Sequence, residues 1–440
     1  MSEEVALDEV QSESEDEQGQ KWQKVRLGDV SRKRSENVDP QEVNLDRHVG
    51  LEHIDPSTPY PEWESVDGLS STKRRFEAGD ILFAKLRPNL EKSAQPDFEG
   101  VASTDIFPIV AEEGVNSKYL LYRLSSKPAY DHARRTSAGT RMPRTSWNLF
   151  SNFEFDLPPL EEQRRIATVL QDVDQSIQKT EEIIEQATRV RKGIMQDLFR
   201  YGLNESGELR GSAEGTEPYR KTKYGEIPES WDVIALSQLV PEDAPIVYGI
   251  LKPGDHQPDG IPVVKVKDIH NGEVKQRDIL HTSQEIHEDF KRAELREGDL
   301  LFTIRGTVGR MAFVPESLDG GNITQDTARI RVTGANPRFI RYFFETETPN
   351  NYFERNTIGQ AVQGINLEDL REVPVHLPPE EEQDRIVEII DHHSKKLRNE
   401  RDYLQRLQRF KQGLMQDLLS GTVRTTDTNI AVLDEVLQHG

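Results

Sequence analysis

A chain of 440 residues with a formal charge of −22 and no cysteine has room for two to four domains, each large enough to bury a core, and excludes disulfides and thiolate metal sites. Taken alone, the acidity argues against a nucleic-acid partner, because phosphate binding normally leaves a basic footprint. No run of about 18 apolar residues occurs and the N-terminus is acidic rather than basic-then-apolar, so a soluble cytoplasmic protein with no membrane contact is expected.

Residues 1–20 hold eight acids and neither Lys nor Arg, which predicts a disordered, self-repelling tail. Beyond it the charge is uneven. Residues 21–157 carry 20 basic and 21 acidic side chains, and Lys118–Phe153 has seven basic residues against the single acid Asp131. A local basic face can therefore exist on a protein whose general surplus reads as a halophile-like acidic surface.

Trp22–Leu27 alternates as a short strand does, and Asn37–Ser71, rich in Pro, Gly, Asp and Ser, reads as loop. Gly79-Asp-Ile-Leu-Phe83 leads a turn into an apolar strand. Another strand is expected around Asp105–Val110, a helix from Ser117 to about Arg135, and a last strand at Phe153–Leu157. The run Leu157-Pro-Pro-Leu-Glu-Glu-Gln163 then opens a helix. Pro is tolerated in the first turn, where its missing N–H would have had no partner, and acids favour the positive end of the helix dipole. Ile166, Leu170, Val173, Ile177, Ile184 and Leu198 sustain one apolar stripe. At 1.5 Å per residue this helix is roughly 60 Å long. That is too long for one domain core, and so narrow a stripe demands a partner helix. Residues 202–230 are polar and Gly-rich, which predicts a flexible linker.

The pattern then returns about 220 residues later. Trp231–Leu236 matches Trp22–Leu27, Pro241–Gly260 is again loop-like, and Gly298-Asp-Leu-Leu-Phe302 matches the turn and apolar strand. Asp326–Val332, Pro337 to about Arg355 and Val373–Leu377 follow in order. Leu377-Pro-Pro-Glu-Glu-Glu-Gln383 opens a second long helix with its stripe at Ile386, Ile390, Leu397 and Leu404. The helices share a late match, Gly193-Ile-Met-Gln-Asp-Leu198 and Gly413-Leu-Met-Gln-Asp-Leu418, and carry Arg191 and Lys411 at equivalent places, expected to set register or meet a partner. The obvious partner of each helix is the other copy, antiparallel. The expected division is a tail (1–20), a module (21–157), a helix (158–201), a linker (202–230), a second module (231–377), a second helix (378–421) and a tail (422–440).

This ordered, duplicated set resembles the specificity subunit of type I DNA restriction-modification enzymes, over about Trp22–Val423. Gly79-Asp-Ile-Leu-Phe83 with Leu86-Arg-Pro-Asn89, and Gly298-Asp-Leu-Leu-Phe302 with Arg305-Gly-Thr-Val-Gly309, look like two variants of that family's target recognition domain. The resemblance implies an α+β fold: two mixed α/β target recognition domains joined by two long antiparallel coiled-coil helices. It implies that each domain reads one half of a bipartite double-stranded DNA target while the helices act as a ruler. Two modification subunits carrying S-adenosylmethionine would dock on the helices, and motor-nuclease restriction subunits would bring ATP and Mg. The chain itself would have no catalytic residue, cofactor or metal. In agreement, it contains no Gly-x-x-x-x-Gly-Lys-Ser/Thr phosphate loop and no Asn/Asp-Pro-Pro-Phe/Tyr motif. The alternatives are a coiled-coil adaptor without DNA readout and a fused restriction enzyme, for whose catalytic domain no residues are left over.

Phosphate contacts need exposed cations, and base reading favours the forked groups of Arg, Asn and Gln. In the first module these criteria select Arg134, Arg135, Arg141 and Arg144, flanking Gly139, and then Lys85, Arg87 and Asn89 just past the apolar strand. In the second they select Arg305, Arg310, Arg355, Gln360, Gln363 and Asn366. Glu161, Glu162 and Gln163, with Glu381, Glu382 and Gln383, read as helix-start electrostatics, and the resemblance adds docking of the modification subunits as a second role.

Overall fold

The computed structural model of the chain describes residues 21–211, 219–356 and 364–425. It divides into two units, one made of Met1–Ile184 with Asn399–Gly440 and the other of Glu185–Arg398. The tail 1–20, most of the tail 422–440, and Gln360 and Gln363 lie outside the described residues.

In the first unit the apolar run after Gly79 is the strand Ile81–Ala84, buried at all four positions. It pairs with Ile106–Ala111 and Ser93–Ala94 in a four-stranded sheet completed by Ser31–Lys33. The turn before it follows from its sequence: Gly79 takes φ +87°, and the buried Asp80 accepts the Glu77 N–H at 2.9 Å and Arg34 Nε at 2.8 Å. A second, five-stranded sheet is built from Asn37–Val38, Lys73–Phe76, Gly100–Ala102, Arg47–Val49 and Glu64–Ser65. Three of these strands lie in the stretch expected to be loop, because pieces of two or three residues are too short to show a period of two. The helix expected over Ser117 to Arg135 is two helices, Ser117–Leu124 and Lys127–Arg135. Ser125 and Ser126 return their hydroxyls to the carbonyls of Leu121 and Arg123 and Pro128 starts the next turn.

The second unit repeats this plan. Leu300–Thr303 sits between Thr327–Ile330 and Met311–Phe313, with Val247–Tyr248 at the edge. Asp299 takes the Arg296 N–H at 2.8 Å and Arg331 Nε at 2.8 Å. A three-stranded sheet contains the parallel pair Ile261–Val264 and Asn322–Ile323, counterpart of the parallel pair Arg47–Val49 and Gly100–Ala102. In each unit the strand that follows the module's opening tryptophan pairs antiparallel with the one leading into the double proline, Gln23 opposite Leu157 and Asp232 opposite Leu377.

The long helices are Leu160–Tyr201 and Glu380–Ser420. In the first unit Ile166 and Leu170 join the module's own core together with Leu418 and Leu419. Further along, Val173, Ile177 and Leu407, with Tyr403, Leu404, Phe410 and Leu414, form a helix-to-helix cluster. In the second unit Ile386 and Ile390 join the module core with Met195, Leu198 and Phe199. Near each helix start the stripe packs against both the module and the end of the other helix, and further along in the first unit it packs against the other helix alone. Leu397 is buried and Ile184 half-buried. Within each unit the pairing is antiparallel. Lys411 meets Asp174 and Arg424 meets Glu162 in the first, and Ser394 meets Arg191 and Glu382 meets Leu203 in the second.

The linker expected over 202–230 is not all coil. Tyr219–Thr222 and Gly225–Pro228 form a hairpin, and Leu203 bridges Leu209. Gly202 ends the first long helix at φ +68°, where a Cβ would lie 2.5 Å from Glu382 Oε1. The hairpin and the Leu203–Leu209 bridge are local pairings, while Glu382, far along the chain, bonds Leu203 and Arg210.

Candidate nucleic-acid interface

Each buried strand that follows Gly-Asp ends in a loop held from two sides. In the first unit Lys85 N–H donates to the Asp105 carbonyl at 3.0 Å, Arg87 N–H to the Pro143 carbonyl at 2.7 Å, and Thr145 N–H to the Lys85 carbonyl at 3.1 Å. Leu86 forms an antiparallel bridge to Arg144. In the second, Ile304 N–H donates to the Asp326 carbonyl at 2.8 Å and Ile365 N–H to the Ile304 carbonyl at 2.9 Å, while Arg305 bridges Gly364. Two of the three bonds and the bridge recur at equivalent positions: Lys85 to Asp105 matches Ile304 to Asp326, and Thr145 to Lys85 matches Ile365 to Ile304. The tertiary fold therefore brings Lys85 and Arg87 beside Arg144 in the first module and Arg305 beside Gly364 and Asn366 in the second, whereas Arg134, Arg135 and Arg355 lie on helices and Gln360 and Gln363 lie outside the described residues.

Their surroundings separate them. Arg144 grips Asp105 with two bonds, at 2.9 and 3.1 Å, and that guanidinium holds the Asp105 carboxyl below the usual carboxylate range. Arg134 is bonded to Asp131 and, at 3.1 Å, to Glu91. Lys85 is half-buried with its ammonium 5.7 Å from the Phe107 ring centroid, and burial lowers its pKa. Arg87, Asn89, Arg135 and Arg141 are exposed, with no carboxylate partner among the described residues. In the second unit Arg305, Arg355 and Asn366 are exposed, and Arg310 is half-buried with a long bond of 3.4 Å to the Ile269 carbonyl.

The helix-start acids divide differently from expectation. Glu161 and Glu381 are exposed, but Glu162 and Glu382 are each 2% exposed, and Gln163 and Gln383 are likewise buried. Glu162 receives Trp22 Nε1 at 2.9 Å and two bonds from Arg424 at 2.7 Å. Glu382 receives Trp231 Nε1 at 3.2 Å and Arg210 at 2.5 and 2.9 Å. Gln163 accepts the Asn116 N–H and donates to the Pro158 carbonyl, both at 2.8 Å, and Gln383 does the same with Asn336 and Pro378, also at 2.8 Å. Docking through these four side chains is excluded by burial: they fasten each module to its helix. Sequence alone missed Arg210 and Arg424, whose only signal is a cation shortly after each helix end.

One group could hold a metal. His48, His53 and Glu64 each bring a ligand atom within 4.8 Å of the others. As folded, His48 Nδ1 donates to Glu64 at 2.9 Å, and His53 Nδ1 accepts the Gly50 N–H at 2.9 Å. That places the neutral His53 ring's proton on Nε2, the atom facing Glu64. A cation there would have to displace this proton and release the Gly50 amide, so the donor set fits a hydrogen-bonded cluster better than a metal site. Among the described residues no helix is long and apolar enough to cross a membrane.

Comparison with known proteins agrees with the duplicated plan. The family model described as the type I restriction modification DNA specificity domain matches residues 19–189 and 244–409. The chain is 28% identical over 288 residues to the type I restriction enzyme EcoBI specificity subunit of Escherichia coli, covering 64% of this chain and 60% of that one, less than two thirds of its length. It is 23% identical over 317 residues to the MjaVIII specificity subunit of Methanocaldococcus jannaschii, covering 71% of each, and 25% identical over 376 residues to the putative MjaX specificity subunit of the same organism, covering 82% of each. In fold it is similar to a chain from a study of complex assembly and conformational transition in the type I R-M system, with a TM-score of 0.56 and 22% identity over 92% of this chain and 98% of that one. It is also similar to the type I restriction-modification S subunit from M. genitalium, with a TM-score of 0.52 and 13% identity over 91% and 96%.

Proposed function

Because this chain belongs to the type I restriction modification DNA specificity domain family, we propose that it is the non-catalytic DNA sequence-specificity subunit of a type I restriction-modification enzyme, each unit reading one half of a bipartite double-stranded target. The observation that carries this reading is the duplicated loop pair, bridged at Leu86–Arg144 in one unit and at Arg305–Gly364 in the other. A base reader needs forked side chains on rigid backbone beside exposed cations, and each loop pair presents that combination. A coiled-coil adaptor without DNA readout would have no use for two such devices.

In this proposal the helices set the spacer between half-sites, and their outward surfaces, including the exposed Glu161 and Glu381, receive two modification subunits. Those subunits would carry S-adenosylmethionine, and restriction subunits would bring ATP and Mg for translocation and cleavage. The complex would work in the cytoplasm. Co-expressed with its modification partners, the chain should direct adenine methylation to one two-part sequence with an unspecified gap, read by long-read methylome sequencing. A continuous methylated motif would overturn the two-reader proposal.

A further inference from the structure

At three equivalent places the first unit carries cations and the second carries core. Lys33 lies opposite Ile109, which lies opposite Ile81, just past the Gly79 turn. In the second unit Ile330 lies opposite Leu300, just past the Gly298 turn, and Val247 lies opposite Arg329, so Ile246 holds the place of Lys33. Lys85 and Ile304 both follow the buried strand and donate their N–H to the Asp105 and Asp326 carbonyls. Arg74 and Ala293 stand at the same distance before the turn glycine. Ile246, Ala293 and Ile304 are 1%, 0% and 3% exposed, whereas Lys33, Arg74 and Lys85 are half-buried.

The three cations gather where the chain crosses between the two sheets of the first unit, from Ser31–Lys33 to Asn37–Val38 and from Gly100–Ala102 to Ile106–Ala111. Arg74 is opposite both Asn37 and Ala102, and Lys85 is bonded to Asp105 in the second crossing. Burial and then the Arg74 charge lower the pKa of Lys33 and of Lys85, and Lys33 adds to the lowering of Lys85. The carboxylates at hand are already taken. Asp105 is held by both prongs of Arg144, and Asp80 and Glu77 are held by Arg34. Arg74 Nε is buried without a hydrogen-bond partner, and none of the three cations has an ion pair among the described residues. Like charges gathered in partly desolvated places cost stability, and the second unit closes the same plan with apolar side chains there. The cluster does not serve the fold.

Resting on the reading that the chain binds DNA, we propose that Lys33, Arg74 and Lys85 form a seat for one backbone phosphate, which the second unit lacks at the equivalent place. A phosphodiester supplies the missing negative charge, and its oxygens accept from several N–H groups at once. Such contacts fix position and orientation without carrying sequence, so the seat needs no forked geometry and imposes no base preference. It adjoins the loop pair directly, because Lys85 precedes Leu86, the residue bridged to Arg144. On a chain with a formal charge of −22, a local anion seat offsets the general repulsion of a polyanion. The two halves of the target are then held unequally, the half beside the first unit by one more charge contact.

The test uses the full chain with its modification subunits, as wild type, as Lys33→Gln and Lys85→Gln singly, and as the triple variant Lys33→Ile, Arg74→Ala, Lys85→Ile, which installs the second unit's own residues. The triple variant should bind specific and unrelated duplexes more weakly by one common factor, roughly tenfold in 0.1 M salt, with the slope of log affinity against log salt reduced by about one. It should keep the methylated two-part motif and melt no lower than wild type, and the single variants should move affinity the same way. Duplexes with one neutral methylphosphonate at a time should place the contact beside one half-sequence in the wild type, and that position should lose its effect in the triple variant. Unchanged affinity and slope overturn the seat, while a wild-type two-part motif leaves the function standing. An altered motif makes the cations base contacts, and a lower melting temperature in all variants makes them part of the fold; either overturns the seat. If inorganic phosphate raises the melting temperature of the wild type alone while DNA affinity is equal in all, the cluster takes a free anion and the DNA assignment is overturned. If the wild-type complex methylates no two-part sequence, the function and the seat fall together.

Discussion

Arg210 and Glu382, 172 residues apart, form a two-pronged ion pair at 2.5 and 2.9 Å, with side chains only 7% and 2% exposed. Arg424 and Glu162 form its counterpart at 2.7 Å, with the arginine 30% exposed. In each unit the segment just beyond one long helix is therefore fastened to the first turn of the other, and the indole N–H of the tryptophan that opens the module donates to the same carboxylate. Removing one partner of a buried pair leaves an uncompensated charge, at about 3–5 kcal/mol, and the more exposed pair is screened by water. Arg210→Ala should accordingly destabilise the second unit by about 3–5 kcal/mol, and Arg424→Ala should destabilise the first by less. Hydrogen exchange resolved along the chain measures both, and equal small losses would contradict a structural role for the buried pair.

Lys411 and Arg191, expected to set register or meet a partner, contact residues at equivalent places on the opposite helix. Lys411 Nζ lies 2.5 Å from Asp174, whose side chain is 1% exposed, and Arg191 Nε donates to Ser394 at 2.8 Å. Tyr122 also donates to Asp174, at 2.7 Å, and burial, with the Asp174 charge beside it, pushes the Tyr122 hydroxyl far above its ordinary range, so it stays a neutral donor. Lys411→Met should lower stability by about 2–4 kcal/mol, and adding Asp174→Asn should restore part of the loss. Strictly additive losses in chemical denaturation would show that the two side chains are not coupled.

His376 sits in the strand Pro374–Leu377 and is 4% exposed. Burial, aided by the charge of Arg220, pushes its imidazole from 6.5 down to about 4. The unfolded chain takes up this proton near the higher value and the folded chain only near the lower one. The stabilisation is therefore complete above pH 6.5 and is lost as the pH falls toward 4, amounting to roughly 3 kcal/mol. His376→Leu should flatten this part of the stability profile of the second unit, measured by urea denaturation between those pH values. An unchanged profile would place the acid sensitivity elsewhere.

Much of this was legible from residue order. The double proline with its acids stands where the long helices begin, and the stripe from Ile166 to Ile177 is buried over its length. The strands after Gly79 and Gly298 form because a turn glycine and an acceptor aspartate precede a run of apolar residues, four in Ile81–Ala84 and three in Leu300–Phe302. Legibility failed where strands were too short for a period to show, as at Arg47–Val49 and Glu64–Ser65. It failed again where a polar residue's value lay in a distant partner: nothing near Arg210 announces Glu382, and nothing near Arg144 announces Asp105.

The sequence by itself determined that the protein is one plan written twice, with two modules, two long amphipathic helices and the residues that start and stop them. These features depend on local conformational preference and on the period of apolar residues, both of which are written within a few turns of chain. Only the tertiary structure decided which charges are engaged and which are offered. It buried Glu162 and Glu382, tied down Arg134 and Arg144, and left Arg87 exposed. The fate of a charge depends on the groups that surround it in space, and those groups are contributed by parts of the chain that local pattern does not connect.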